Sequence, residues 1–374
     1  MSTDNTPGIF SKLLRKPSGL IAIAIIWLTC LLSIFAYVLA PDNTPNANRM
    51  VVELGARRPG FTKRMLLIPK STLQLHDSPT SEWFNGTPSY YQYLPINAFK
   101  FTGDSLLVRH YIDEGMQDVQ VYHLHDLLPA SQRTRPLALQ RRYIIQHSII
   151  WHTYYLGTDR YGRDILSRLL VGSRVSISVG LVSVFLSLTI GIILGAAAGY
   201  FGGRVDAIVM WFINILWSIP TLLLVFAITL TIGKGFWEIF IAIGLTMWVT
   251  AARLIRGQVL VLREMEYISA ARALGLSDLR IIYRHILPNI AGPLMVIAAS
   301  NFAAAILTEA GLSFLGIGVQ PPQPSWGLMI KEHYNFLLTN RPLLALIPGI
   351  AIMLLVYSFN VLGNSLRDIL DVKG

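Results

Sequence analysis

Cysteine is nearly missing from this chain of 374 residues: Cys30, inside an apolar run, is the only one. No intrachain disulfide can form and no thiolate metal site can be built, so Cys30 reads as a small packing residue. Charge is scarce as well. Charged residues make up 14% of the chain, against about a quarter in an ordinary soluble domain, while hydrophobic residues make up 53%. With a mean hydropathy of +0.51, that deficit points to a membrane protein. Catalytic signatures are missing too. There is no G-x-x-x-x-G-K-[ST] phosphate loop, no H-E-x-x-H and no G-x-S-x-G, so neither ATP binding nor catalysis is expected of this chain.

The charge that is present sums to +10. No dense Lys/Arg tract with interleaved aromatics occurs in a soluble module, which argues against nucleic acid as a partner. Basic loops beside apolar spans suit a bilayer instead.

Six apolar runs are long enough to cross a membrane, at 19–40, 175–200, 207–232, 236–252, 290–312 and 343–362. The first follows Lys12, Arg15 and Lys16 and admits two readings. One is a signal peptide cut near 36–40; the other is an uncleaved anchor, which its length of about 20 residues favours. Basic residues fall in the N-terminal tail, at Arg204, and at Arg253, Arg256, Arg263, Arg272, Arg280 and Arg284. With six spans these lie on one side, which places both termini in the cytoplasm and the long segment after the first span outside.

Residues 41–150 read as a separate β-rich insert. A turn-rich linker at 41–46 leads into strand-type segments at 50–54, 65–68, 98–101, 106–111 and 119–122. Trp83, Tyr90, Tyr91 and Tyr93 cluster there, as the core of a small domain or as an interface. His123 and His125 alternate on one expected strand and, with His110, make a weak candidate metal set. After the insert, Thr158 or Asp159 is positioned to cap a helix with Ile165, Leu166, Leu169 and Leu170 on one face. Asp159 with Arg163 and Asp164 with Arg168 are acid-before-base pairs four apart. Such a helix either lies on the outer membrane surface or extends the second span into water.

Several polar or helix-breaking residues stand inside the apolar runs. Glu309, Asn214 and Asn301 are pathway candidates; the alternative for Glu309, near the outer end of its span, is a place in a structural turn, the alternative for the two asparagines is interhelical hydrogen bonding, and Pro220 is a candidate bending point.

Three longer motifs now converge. They are Leu156-Gly-Thr-Asp-Arg-Tyr-Gly-Arg-Asp-Ile-Leu-Ser-Arg-Leu169, then Tyr267-Ile-Ser-Ala-Ala-Arg-Ala-Leu-Gly275 with His285-Ile-Leu-Pro288, then Leu307-Thr-Glu-Ala-Gly-Leu-Ser-Phe-Leu-Gly316 running on to Trp326-Gly327. Together they resemble permeases of the dipeptide/oligopeptide/nickel ABC-importer family over about 156–374 and the first span. The resemblance implies an all-α integral membrane protein of the inner membrane, with six transmembrane helices and an external β-rich insert between spans 1 and 2. It divides the chain into 1–40, the insert at 41–150, and a permease core at 151–374 that holds the amphipathic helix, spans 2–6 and a coupling loop at 253–288.

The implied function is to form the translocation pathway for peptides or a related solute by alternating access. The implied partners are a second homologous permease, ATP-binding subunits that bind ATP and Mg²⁺, and an external solute-binding protein. Ala270, Ala271, Gly275, Leu276 and Pro288 take the ATPase-coupling positions. Two departures stand out: Ser269 occupies the place of the usual glutamate, and the insert is longer than the loop usually found there. An ion-coupled secondary transporter and a membrane-anchored assembly protein are the competing classes. The first of these wants acids or histidines at mid-span, where none is apparent.

Overall fold

The structure is a computed structural model that describes residues 13–14, 16–70, 78–113, 115–233, 235–339 and 341–371. Lys12 and Arg15 lie outside the described residues. Eleven helices matter for function. In chain order they are α1 Pro17–Ile34, α2 Pro79–Asn85, α3 Leu137–His147, α4 Ile165–Phe201, α5 Gly203–Trp217 and α6 Thr221–Ile232, followed by α7 Phe236–Arg263, α8 Glu266–Ala273, α9 Ala291–Leu315, α10 Trp326–His333 and α11 Leu343–Asp371. Five of them, α1, α4, α7, α9 and α11, are long and apolar enough to cross a membrane. The expected span at 207–232 is different. It is broken at Ser218-Ile219-Pro220 into α5 and α6, which meet at 93°. Proline has no amide hydrogen and forces its predecessor out of the helical region, so the chain turns where α6 begins.

The chain divides into two compact units, 1–33 with 173–331 and 347–374, and 34–172 with 332–346. The first unit is helical. α4 carries Gly191, Gly195 and Gly199 one turn apart. A Cβ on Gly191 would lie 2.7 Å from the Ala251 Cβ, one on Gly195 2.5 Å from the Ala252 carbonyl oxygen, and one on Gly199 2.8 Å from the Val259 Cβ. Only glycine permits α4 and α7 to approach so closely, the packing by small residues that joins helices where no hydrophobic drive acts between them. Asn301 on α9 donates to Ser187 Oγ on α4 at 2.9 Å, and both side chains are buried. This is an interhelical bond of the kind expected of a buried asparagine, and Asn301 also lines a cavity.

The second unit holds a five-stranded antiparallel sheet in the order β4-β3-β2-β1-β5, with β1 Phe61–Pro69, β2 Tyr91–Thr102, β3 Ser105–Asp113, β4 Met116–His123 and β5 Ile149–Tyr154. Successive side chains point to opposite faces. Accordingly Leu66 joins Leu94, Leu106, Val108 and Ile144 of α3, while its neighbour Met65 joins Leu54, Tyr111 and Tyr154. β5 pairs with β1, so the sheet extends past the edge expected at residue 150. Two local expectations fail. Residues 50–54 give a 3₁₀ turn at Val52–Leu54 rather than a strand. The strand containing His123 ends there, and His125 lies in the short helix Leu124–Leu127.

The expected amphipathic helix does not stand alone. α4 starts at Ile165 and runs unbroken to Phe201. Asp164 caps it, accepting the Ser167 amide at 2.8 Å. Thr158 and Asp159 serve other ends. Thr158 Oγ1 accepts the Arg57 amide at 2.8 Å. Asp159 accepts the amides of Tyr161 and Arg163 at 2.8 and 2.9 Å and forms an ion pair with the Arg163 side chain. Glu332 closes the group, with Arg163 Nη2 at 2.8 Å and Arg168 Nη2 at 3.4 Å. The expected Asp159–Arg163 pair therefore forms. The described ion pairs of Arg168 are with Glu332 and Asp159, not with Asp164. Buried Asp159 and half-buried Glu332 balance the two buried arginines of these ion pairs.

If the glycine seam sets the approach of α4 to α7, Gly195→Leu should lower the melting temperature of the detergent-purified protein, by overpacking worth about 1–3 kcal/mol or more. Gly257→Leu on α7, where a Cβ meets nothing within 4 Å, should leave it nearly unchanged. Equal effects from the two substitutions would refute the seam.

Candidate functional site

Between α7 and α9 the chain leaves the apolar pattern for an arginine-rich stretch. α8 is followed by a short helix Asp278–Ile281, a π-helical turn Ile282–Ile286 and a further turn Leu287–Asn289. Ile268, Ala271, Ile281, Ile286 and Ile290 bury themselves among Ala196 and Tyr200 of α4 and Ala251, Ile255 and Val259 of α7. Full burial of an isoleucine contributes about 1.5–3 kcal/mol, so the segment is anchored rather than loose. Tyr200 adds a polar tie, its hydroxyl donating to Asp278 Oδ1 at 2.7 Å. Arg263 donates to the carbonyls of Gly199 and Tyr200 at 3.3 and 3.2 Å, a cation placed at the carboxyl end of α4.

The five coupling candidates take distinct places. Ala271 faces inward and Ala270 outward. Gly275 ends α8 in the left-handed region, at φ +78°. Its amide donates to the Arg272 carbonyl at 3.0 Å and the Leu276 amide to the Ala271 carbonyl at 3.2 Å, the paired bonds that close a helix on glycine. Leu276 packs against the same core. A Cβ on Gly275 would meet nothing within 4 Å, so the backbone conformation, and not close packing, demands glycine here. Pro288 is exposed on the turn before α9. The span proper begins at Ala291, close to the start of the apolar run at 290.

The outer face of this segment was not singled out from sequence. Leu274, Leu279 and Tyr283 are 80%, 77% and 78% exposed, and Met265 and Tyr267 are exposed beside them. Arg280 and Arg284 are also exposed, and neither forms an ion pair among the described residues. The available signal was large apolar residues set among arginines in a segment too polar to span.

The pathway candidates do not gather at one point. Glu309 is buried and accepts Ser313 Oγ at 2.6 Å, and Ser313 in turn accepts the Val319 amide at 3.1 Å. Glu309 thus fastens the end of α9 to the turn beyond it. Asn214 accepts from Arg253 Nη2 at 2.9 Å, with the guanidinium 3.6 Å above the Trp217 ring. Pro220 stands at the 93° bend. Asn301 alone of the four lines a cavity of about 260 Å³. Thr250, Gln258, Ser300 and Arg367 give that cavity its polar side, and none of them was foreseen.

The histidines of the insert are not assembled. His110 is 3.4 Å from Glu53, His123 is 3.4 Å from Ser105 and His125 is 3.7 Å from Asp126. Asp159, Glu332 and His333 do converge within 4.8 Å, but Arg163 and Arg168 already neutralise the two carboxylates. The aromatic cluster is divided as well. Trp83 stacks on Phe35 and Phe84, whereas Tyr93 lies under the Arg49 guanidinium at 4.0 Å.

Residues 191–373 match the family described as the inner membrane component of binding-protein-dependent transport systems. The chain is 41% identical over 220 residues to the glutathione transport system permease protein GsiD of Pectobacterium atrosepticum, a match that covers 59% of this chain and 73% of the relative. The oligopeptide transport system permease protein OppC of Bacillus subtilis is 42% identical, with 59% and 72% covered. The chain belongs to this family. It is a permease subunit of a binding-protein-dependent ABC importer, and the matched region takes in α7, the anchored segment, α9 and all of α11. Among solved structures, inward-facing MetNI methionine ABC transporter is similar at a TM-score of 0.44 and 19% identity, over 54% of this chain and 96% of that one.

In this permease, Gly275→Val should destabilise the α8 end by about 1–3 kcal/mol, because a β-branched residue is forced into a left-handed backbone. Gly275→Asn should cost less, since asparagine tolerates that region. Limited proteolysis of the 266–290 segment reads the difference, and equal damage from both variants would contradict the conformational account.

Proposed function

We propose that this permease imports short peptides or a related solute by alternating access, coupled to ATP hydrolysis on separate subunits that bind ATP and Mg²⁺. The observation that carries the reading is the two-sided 266–290 segment. Its isoleucines are sunk into the helical core, while Leu274, Leu279 and Tyr283 are left in the open. Exposed apolar side chains ringed by polar ones mark an interaction surface. An ATPase subunit is the partner that fits a family of ATP-driven importers. Ala270, Gly275, Leu276 and Pro288 shape that surface, and Ala271 supports it from below.

Cargo is read from the relatives, which are named as glutathione, oligopeptide and dipeptide permeases. A second homologous permease completes the pathway, and an external solute-binding protein delivers the cargo. Both termini lie in the cytoplasm with the 266–290 segment, and the sheet unit lies outside. This follows the arginines that concentrate between α7 and α9. Asn301 and the cavity it lines are the part of the pathway that this chain contributes, with Pro220 as a bending point.

Two measurements test the reading. Leu274→Asp with Leu279→Asp should abolish co-purification of the ATPase subunit and uptake, yet leave membrane insertion intact. Retained co-purification would remove the docking surface. In a Cys30→Ser background, Asn85→Cys should react with an impermeant thiol reagent in intact cells and Ser277→Cys should not. The reverse pattern would invert the topology.

A further inference from the structure

The first turn of α11 borders a second cavity, of about 350 Å³, that the transport reading does not use. It lies wholly within the sheet-containing unit. Three arginines line it, Arg57, Arg58 and Arg341, and no carboxylate does. Arg57 is engaged, donating to the Tyr111 hydroxyl and lying 3.4 Å from Asp113. Among the described residues, Arg58 and Arg341 form no ion pair. The rest of the lining is apolar, with Leu156, Leu343 and Leu344 beside two prolines. The cavity is therefore cationic on one side and oily on the other.

Its position gives the chemistry a source. Leu343 and Leu344 open a helix that is apolar enough to cross the bilayer, so the cavity lies where hydrocarbon gives way to headgroups. Around it Leu338 is 95% exposed, and Leu337, Leu343 and Leu346 are also exposed, as suits side chains that meet lipid. Guanidinium groups bind phosphate oxygens in pairs, and basic pockets beside transmembrane helices take lipid headgroups.

We propose that this cavity holds the phosphate of an anionic phospholipid, with Arg58 and Arg341 on the phosphate oxygens and Leu343 and Leu344 against the glycerol and upper acyl carbons. Free phosphate offers the same anion without the apolar part, and the leucine floor gives it nothing to bind. The inference rests on family membership and on the span of α11; it does not need the ATPase-docking reading.

The test uses the full-length protein in detergent, titrated with phosphatidylglycerol or phosphatidylcholine, with retained lipid read by native mass spectrometry. Wild type should retain phosphatidylglycerol preferentially. R58Q and R341Q should each weaken that retention about fivefold, and together about thirtyfold. Arg142→Gln, an exposed arginine on α3, should change it little. If the double variant does not fold, R58Q alone carries the test at its fivefold effect. Equal retention of the two lipids, or unchanged retention in R58Q, overturns the proposal. So does inorganic phosphate raising the melting temperature of lipid-free protein as much as phosphatidylglycerol does, which would make the cavity a simple anion site.

Discussion

The helical unit depends on how closely α4 approaches α7. Gly195 is near enough to Ala252 that a single added carbon would sit 2.5 Å from its carbonyl oxygen. In lipid, helices gain nothing by hiding apolar surface from one another, and contact must come from shape and a few polar bonds. The glycine seam supplies the shape. It also brings Ala196 and Tyr200 beside Ala251, Ile255 and Val259, and those five residues make the floor on which the arginine-rich segment rests. A segment that is too polar to enter the bilayer is thereby fixed to the membrane helices by apolar contacts on one face only.

What the sequence disclosed and what it hid follow from the range of the forces involved. Apolar runs are local, and five of the six became single helices long enough to span. The sixth carried its own warning in Pro220, although a 93° bend is more than a kink. Strand alternation was readable at 65–68 and 106–111, where β-branched and apolar residues recur. β5 was hidden because the insert was closed at residue 150, in the middle of Ile149–Tyr154. Gly191-x3-Gly195-x3-Gly199 is visible in the sequence as a small-residue repeat, but nothing local marks the helix it faces.

The candidate site was legible in outline and not in orientation. The motif at 267–275 located the segment, but nothing in its spacing says that Ala271 turns inward, Ala270 outward, and Gly275 is needed for a left-handed turn. The inward turn of Ala271 depends on Ala196 and Tyr200 of α4, which are distant in sequence, as well as on α7 just before it. The same limit explains Asp159, which pairs locally with Arg163 as its spacing suggests. Glu332, the other acid of that group, is 169 residues from Arg163 and has no local signature. Asp164 looked like an ion-pair partner and is a helix cap, because Arg168 turned to Glu332.

Anchoring has a mechanical consequence under the proposed alternating-access reading. A loop tethered only at its ends would absorb a push from a partner in its own bending. The 266–290 segment is instead packed against both α4 and α7 and leads directly into α9, so displacing it without those helices would expose several buried isoleucines, each worth about 1.5–3 kcal/mol. That cost exceeds the few kcal/mol that commonly separate two functional conformations. The lower-energy response to force on Leu274, Leu279 or Tyr283 is for the helices to move with the segment, and the conformational change is then set by how the helices repack and not by the loop.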